Sequence, residues 1–77
     1  MTVARDEAEA GIEVVDLLVR AGFAASRGEA RRSIAGGAVR IDGYKVEDGA
    51  ARLVASDLGG DRRLSSGKKR IAVIALG

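Results

Sequence analysis

The sequence contains no cysteine, no histidine, no proline and no tryptophan, and it has one tyrosine and one phenylalanine. Without cysteine the chain cannot form a disulfide framework or a thiolate zinc site, and it suits a reducing environment without requiring one. Without histidine it lacks the commonest general base and metal ligand, and a Ser-His-Asp triad is excluded. We therefore predict no catalytic residue, no metal site and no cofactor.

Long apolar runs are also missing from the chain. The longest, from Ile71 to Leu76, is far below the roughly 20 residues that a membrane-spanning helix needs. No apolar targeting segment follows the amino terminus. We therefore expect a soluble, cytoplasmic protein with no membrane partner. At 77 residues it should form one small domain with a thin core, because such a chain buries only roughly 60% of its unfolded surface.

The net charge of +2 hides a strong sorting of charge along the chain. Residues 1–19 sum to −4, residues 20–45 to +4, residues 46–60 to −2 and residues 61–77 to +4. Two basic segments separated by an acidic one can fold into a single cationic surface. Such a surface is typical of proteins that bind the phosphate backbone of a nucleic acid.

The most informative segment runs from residue 26 to residue 37. Ser26 and Glu29 have the spacing of a capping box, in which each side chain accepts a hydrogen bond from the backbone of the other residue. Gly36 and Gly37 supply the backbone freedom that ends a helix. The pattern predicts a helix from about Arg27 to Ala35.

One face of this helix should pack and the other should be cationic. Ala30 and Ile34 fall on the same side at helical spacing, whereas Arg27, Arg31 and Arg32 lie on an adjacent arc. Upstream, residues 12–21 form an amphipathic pattern that Gly22 should end. We expect Phe23, just after that turn, to fill the angle between the two helices.

Two hairpins are predicted after the helices. Asp42-Gly43 is a strong two-residue turn signal, and strand alternation places Arg40 and Lys45 together, away from Val39. A second hairpin should turn at Gly67 and carry Lys68, Lys69 and Arg70 at its tip. Its last strand is apolar on both sides, which indicates a central strand.

The remaining segments carry weaker signals. Residues 1–11 are polar and acidic and indicate a linker or a frayed lead-in, so the domain is predicted to span residues 12–77. Residues 47–61 contain one potential short strand, at residues 52–55.

The whole pattern predicts an α+β fold with two short packed helices against a mostly antiparallel sheet of about four to five strands.

The order of these parts resembles a known family. The run DLLVRAGFAASRGEARRSIAGGAVRIDGYKV resembles the S4-type RNA-binding motif, also called the αL motif, over residues 14–46. The fuller pattern, from GIEVVDLLVRAGFAASRGEARR to RLSSGKKRIAVI, is similar to the carboxy-terminal domain of bacterial tyrosyl-tRNA synthetases. Ser33, where that family generally has a large apolar residue, and Tyr44 depart from the pattern.

The resemblance implies an S4-like domain that grips the variable arm and adjacent stem of a tRNA and so aids aminoacylation by a parent enzyme. The chain itself is then not an enzyme, because the ATP-dependent catalytic domain lies elsewhere in the tyrosine-tRNA ligase. The isolated domain should be a monomer and the parent a homodimer. The residues implied to face RNA are Ser26, Arg27, Arg31, Arg32, Arg40, Lys45, Lys68, Lys69 and Arg70.

Other interpretations remain open at this point. The chain could be a free-standing S4 protein or the S4 module of a pseudouridine synthase, both of which would still bind RNA. A different class is a protein-interaction module whose basic face docks on an acidic partner. Affinity for RNA that falls steeply with salt and survives competition by heparin would argue against that class.

Overall fold

The computed structural model describes all 77 residues. It contains short helices and short strands, with the helices mainly in the first half of the chain. The helices are α1 (Arg5–Ala10), α2 (Val14–Arg20), α3 (Arg27–Ala35) and a 3-10 helix (Ala55–Leu58). The strands are β1 (Thr2–Val3), β2 (Ile12–Glu13), β3 (Val39–Ile41), β4 (Tyr44–Lys45), β5 (Arg52–Leu53), β6 (Arg62–Ser66) and β7 (Arg70–Leu76).

Helix α3 has the predicted bounds, Arg27–Ala35. It begins at Ser26, which has extended backbone and whose Oγ accepts a hydrogen bond from the Glu29 N–H at 3.2 Å. The return bond from the Ser26 N–H to the Glu29 carboxylate is not formed, so only one half of the predicted capping box is present. Ala30 and Ile34 are buried as expected. The helix is therefore held by one cap and by its apolar side.

Replacement of Ser26 by alanine should lower the free energy of unfolding by about 1 kcal/mol, because one amide of the first helical turn loses its acceptor. Urea denaturation followed by circular dichroism measures the change. Ser26→Asp, which keeps a capping oxygen, is the matched control and should stay close to the original stability. Equal unfolding midpoints for the alanine and aspartate variants would show that this cap contributes nothing.

Helix α2 starts two residues later than the predicted pattern. Residues Ile12 and Glu13 are taken by strand β2, which pairs antiparallel with β5 in a small separate sheet. The helix ends near Gly22, whose φ of 77° supplies the predicted stop. Phe23 follows the turn, donates its N–H to Leu18 at 2.9 Å and packs against the core, as predicted.

The main sheet has five strands in the order β1-β7-β6-β3-β4. All its pairs are antiparallel except β1 with β7, which is parallel. Both predicted hairpins are confirmed. Asp42 and Gly43 have φ values of 52° and 86°, as a two-residue turn of the I′ type requires, and Gly67 has a φ of 71°.

Strand β7 is central, as predicted, because β1 and β6 flank it. One of its faces nevertheless stays open to solvent. Ile74 is fully buried, whereas Ile71 and Val73 on the other face are 57% and 46% exposed. The apolar residues on both sides of this strand therefore mark its central position but not a second packed layer.

The structure differs from the expectation that residues 1–11 form a linker or frayed lead-in. These residues form β1 and α1 and lead into β2, and Val3 and Ala8 are fully buried. Helix α1 is tied to α2 by a bidentate ion pair in which Arg20 donates to Glu7 at 2.7 and 3.1 Å. The strand signal here is two residues long, too short for a periodicity to register against the acidic residues around it.

The core consists of one cluster of 14 buried residues contributed by both helices and sheet. Its largest fully buried side chains include Leu17 and Leu18 from α2, Ile34 from α3 and Leu64 from β6. The architecture is α+β, with helices packed on one face of a mostly antiparallel sheet, as predicted. None of the helices has the length and hydrophobicity that crossing a bilayer requires.

Candidate nucleic-acid interface

Arg31 lies beside, and Arg32 opposite, the side of α3 that carries the buried Ala30 and Ile34. Both are exposed, and neither forms an ion pair with an acidic side chain. The stem of Arg31 passes Gly49, where an added Cβ would lie 3.8 Å from Arg31 Cγ. These two guanidinium groups are free to bind an external anion.

Arg27 is placed differently from the other two arginines of α3. Its Nη2 donates to Glu13 Oε1 at 2.8 Å, and its Nη1 contacts Asp16 Oδ1. Glu13 also lies 4.0 Å from Arg52 Nη2. Arg27 thus links the start of α3 to the start of α2, and much of its charge is balanced within the chain.

Replacing Arg27 by alanine should therefore lower stability by up to about 1 kcal/mol, because two partly exposed ion pairs are lost. The same change should weaken RNA binding less than Arg31→Ala, whose guanidinium has no internal partner. Urea denaturation and RNA titration of both variants would test this contrast. If Arg27→Ala left stability unchanged and cost the greater part of the affinity, the arginine would be acting on RNA and not on the helix pair.

The β3–β4 hairpin carries a second group of cations. Arg40 lies directly opposite Lys45, and Arg40 Nη1 donates to the Gly43 carbonyl at 3.3 Å. Arg40 points away from the sheet face on which Val39 packs with α3, so it is not beside Arg31 and Arg32. Lys45 connects the two regions, because a Cβ at Gly37, just after α3, would lie 3.1 Å from Lys45 Cε.

The tip of the second hairpin meets the helical region at two points. The Gly67 N–H donates to the Ala38 carbonyl, in the connection between α3 and β3, at 2.9 Å. Arg70 Nη1 donates to the Phe23 carbonyl, in the loop between α2 and α3, at 2.9 Å. Lys68 and Lys69 are exposed between these contacts. Two basic segments that lie far apart in the sequence are therefore adjacent in the structure.

Ion pairing separates the cations that are balanced internally from those that are not. Arg20, Arg27, Arg52 and Arg62 have acidic partners, and Lys45 Nζ lies 4.0 Å from Glu47. We use the term cationic surface for the predicted residues other than Ser26 and Arg27. Its members are Arg31, Arg32, Arg40, Lys45, Lys68, Lys69 and Arg70. All except Lys45 lack an acidic partner.

Arg63 is an exposed cation outside the predicted set of RNA-facing residues. It has no acidic side-chain partner and shares the outer face of β6 with Ser65, which lies directly opposite Arg40. Strand alternation from Arg40 through this pairing could have identified it, but the pairing of β3 with β6 was not apparent from the sequence. The outer face of the sheet therefore holds one cation more than predicted.

Asp42 anchors the first hairpin to β6. Its Oδ1 accepts from the Arg63 N–H and its Oδ2 from Arg62 Nη1, each at 2.9 Å. The Arg63 amide, followed by the Arg62 guanidinium, lowers the pKa of the Asp42 carboxyl below its usual value. Both contacts favour the carboxylate, so the hairpin is held most firmly when Asp42 is ionised.

This lowered pKa predicts an acid-dependent contribution to stability. The contribution of Asp42 should be complete above about pH 4, the ordinary pKa of aspartate, and should be lost as the pH falls through its lower folded value. Asp42→Asn keeps the turn geometry but not the charge, so it should be less stable than the original chain at pH 7. The difference should shrink towards pH 2 in urea titrations, and a constant difference across this range would contradict the assignment.

The cationic surface can bind phosphate oxygens through several arginine forks and mobile lysine charges. No cluster of acidic side chains is arranged to hold a metal ion. Two aromatic side chains, Phe23 and Tyr44, are present in the whole chain. The arrangement therefore suits recognition of a phosphate backbone and its shape better than stacking of several bases.

Comparison with known proteins identifies the family of this α+β domain. Residues 2–74 match the family described as the tyrosine–tRNA ligase SYY-like C-terminal domain. The chain belongs to this family.

Relatives include a tyrosine–tRNA ligase of Novosphingobium aromaticivorans, 48% identical over 66 residues that cover 86% of this chain and 16% of the relative. A tyrosine–tRNA ligase of Mesorhizobium japonicum is 47% identical, covering 95% and 18% respectively. That of Rhizobium meliloti is 50% identical, covering 83% and 16%. The chain thus spans less than a fifth of the length of these relatives.

The family match begins at residue 2, within β1. It therefore includes the segment that the sequence analysis assigned to a linker. The β1–β7 pairing and the burial of Val3 agree with this boundary. The folded unit therefore includes residues 2–11 as well as the segment from residue 12 onward.

Proposed function

We propose that this chain is the carboxy-terminal domain of a tyrosine–tRNA ligase and that its cationic surface grips tRNA. The domain itself carries no catalytic group. Binding would position the tRNA for aminoacylation by the catalytic domain of the parent enzyme, which would act in the cytoplasm as a homodimer. In a dimer, two modest contacts between tRNA and the enzyme would reinforce each other, because the first contact raises the effective concentration for the second.

The proposal rests on the packing of the second hairpin against the ends of α3. The basic turn at residues 67–69 lies against the connection that follows α3, and Arg70 reaches the loop that precedes it. This adjacency brings the basic turn next to the two ends of α3, the helix that carries Arg31 and Arg32. Because an exposed cation without an acidic partner is free to displace counterions from a phosphate backbone, the surface is suited to a polyanion.

The proposed ligand is structured RNA, and specifically the variable arm and adjacent stem of a tyrosine tRNA. The cations come from one helix and two hairpins, so together they present a broad surface to a double helix and its flanks. Most protein contacts to an RNA helix are to phosphates and 2′-hydroxyls. Ser26 and Arg27 belong to the same region, with Ser26 capping α3 and Arg27 orienting it.

Titration with two tRNAs tests the proposal. A tRNA with a long variable arm should bind more tightly than one with a short arm, and NMR shifts should concentrate at the cationic surface. Affinity should fall with salt, with a log–log slope of about −3 to −4 if four phosphates are contacted. Equal affinity for both tRNAs would refute the variable-arm assignment. If competing heparin abolished tRNA binding, an acidic protein partner would be favoured.

A further inference from the structure

Tyr44 is the most exposed of the large apolar side chains, at 81%. It lies on β4, the edge strand of the main sheet, directly after the Asp42-Gly43 turn. Its exposure therefore does not come from an irregular loop or a chain terminus. The ring stands on a paired strand, opposite Ile41.

The hairpin that carries Tyr44 is held at both sides of its turn. Asp42 accepts two hydrogen bonds from β6, and Arg40 donates to the Gly43 carbonyl at 3.3 Å. The backbone under the ring is thus fixed before any ligand arrives. A tyrosine has two side-chain torsions to order, so it offers a large contact area at a small entropic cost.

The ring of Tyr44 stands at the lip of a shallow groove of about 340 Å³. The other apolar residues that line the groove are Ile41, Val46 and Leu53. These three pack against the core and are half-buried, so they form a fixed floor. Tyr44 alone leaves one aromatic face free for a planar ligand.

The charges around the groove suit a neutral ring joined to an anion. The lining holds two cations, Lys45 and Arg62, and two acids, Asp42 and Asp57, and Arg62 forms an ion pair with Asp42. On the outer side of the hairpin, Arg40 stands opposite Lys45 and has no acidic partner. A nucleotide has this division, because its base is uncharged and its phosphate is anionic.

We propose that Tyr44 stacks on one unpaired base of the bound RNA, with the adjoining phosphate beside Arg40 and Lys45. The inference rests on the proposed function and adds to it a single-stranded feature that the domain contacts. One free aromatic ring accommodates one base, in contrast to domains that stack several. The contact therefore tolerates different base identities and requires only that the base is not paired.

The experiment uses the fact that Tyr44 is the only tyrosine of the chain. Incorporation of 3-fluorotyrosine gives one ¹⁹F resonance, which reports on this ring alone. Two RNA hairpins of similar length serve as probes, one with a single bulged purine and the other with that purine paired. Anisotropy of a dye on each RNA measures binding independently. We expect an upfield shift of the resonance with the bulged hairpin and little change with the paired one.

Two variants complete the test. Tyr44→Leu should bind the bulged hairpin about tenfold more weakly, in line with the usual cost of losing a base–aromatic stack. It should bind the paired hairpin unchanged, and Tyr44→Phe should match the original chain on both. Since the side chain is exposed, the circular dichroism spectra should be identical.

The possible outcomes separate the two proposals. If both hairpins bind while the resonance stays fixed or shifts equally, the stacking inference is overturned and RNA binding stands. The same conclusion follows if Tyr44→Leu loses no affinity for the bulged hairpin. If neither hairpin binds the original chain at low salt, the proposed function fails and the stacking inference fails with it.

Discussion

Replacing both Arg31 and Arg32 by glutamate is expected to weaken the binding of structured RNA by roughly 100-fold, while the fold stays intact. Each arginine is exposed and free of acidic partners, so each can contact a phosphate. A hydrogen bond to a charged group contributes about 1.5 kcal/mol or more, and two such contacts amount to a factor of roughly 100. Because two phosphate contacts disappear, the log–log salt dependence should also become shallower by about 1.5.

The matched control is the double reversal Arg5→Glu with Arg52→Glu. It changes the net charge by the same amount, but Arg5 lies on α1 and Arg52 lies on β5, opposite Glu13. Because Arg52 Nη2 lies 4.0 Å from Glu13, urea denaturation of this variant must accompany the RNA titration. We expect this control to lose far less affinity and to keep most of the original salt slope. Equal losses in the two double variants would mean that net charge, and not the cationic surface, determines binding.

The parts of the fold that could be predicted are those with local chemical signals. The bounds of α3 follow from the Ser26 cap and the glycines after it, and the first hairpin follows from Asp42-Gly43. In each case a few adjacent residues restrict the backbone directly. The predicted end of α2 at Gly22 rests on the same kind of signal.

The parts that could not be predicted depend on pairing between distant segments. Strand β1 is two residues long and pairs with β7 more than 70 positions away, so it has no local pattern of its own. Arg63 was missed because it shares a face with Arg40 only through the pairing of β3 with β6, and that pairing has no signal in the sequence. The internal balancing of Arg27 was also invisible, because a charge pattern identifies cations but not which acids they meet.

Some features of the cationic surface could be predicted from the sequence, and others could not. The sorting of charge along the chain predicted that two basic segments would meet, and the contacts of Gly67 and Arg70 bring these segments together. The arrangement within the surface is less simple, because Arg40 and Arg31 lie on opposite sides of the sheet. A ligand that contacts both must extend around the edge at Lys45 and Gly37. This requirement favours a large, curved polyanion over a small one.

Deletion of residues 1–11 should destabilise the domain by about 4 kcal/mol or more, a large part of the stability of a chain of this size. The deletion removes the fully buried Val3 and Ala8, the β1 strand that covers the edge of β7, and the Glu7–Arg20 ion pair.

The measurement for this deletion is the urea midpoint together with the dispersion of an NMR spectrum. The control is Asp6→Ala with Glu9→Ala, which alters two exposed, unpaired acids of the same segment and should stay within about 0.5 kcal/mol of the original chain. If the truncated chain instead unfolded at the original midpoint, residues 1–11 would be the linker that their composition suggests.

The same deletion should also change the affinity of the chain for RNA. Because β7 carries Arg70 and leads out of the basic turn, loss of its β1 partner should lower RNA affinity as well as stability, although no residue of the cationic surface has been removed.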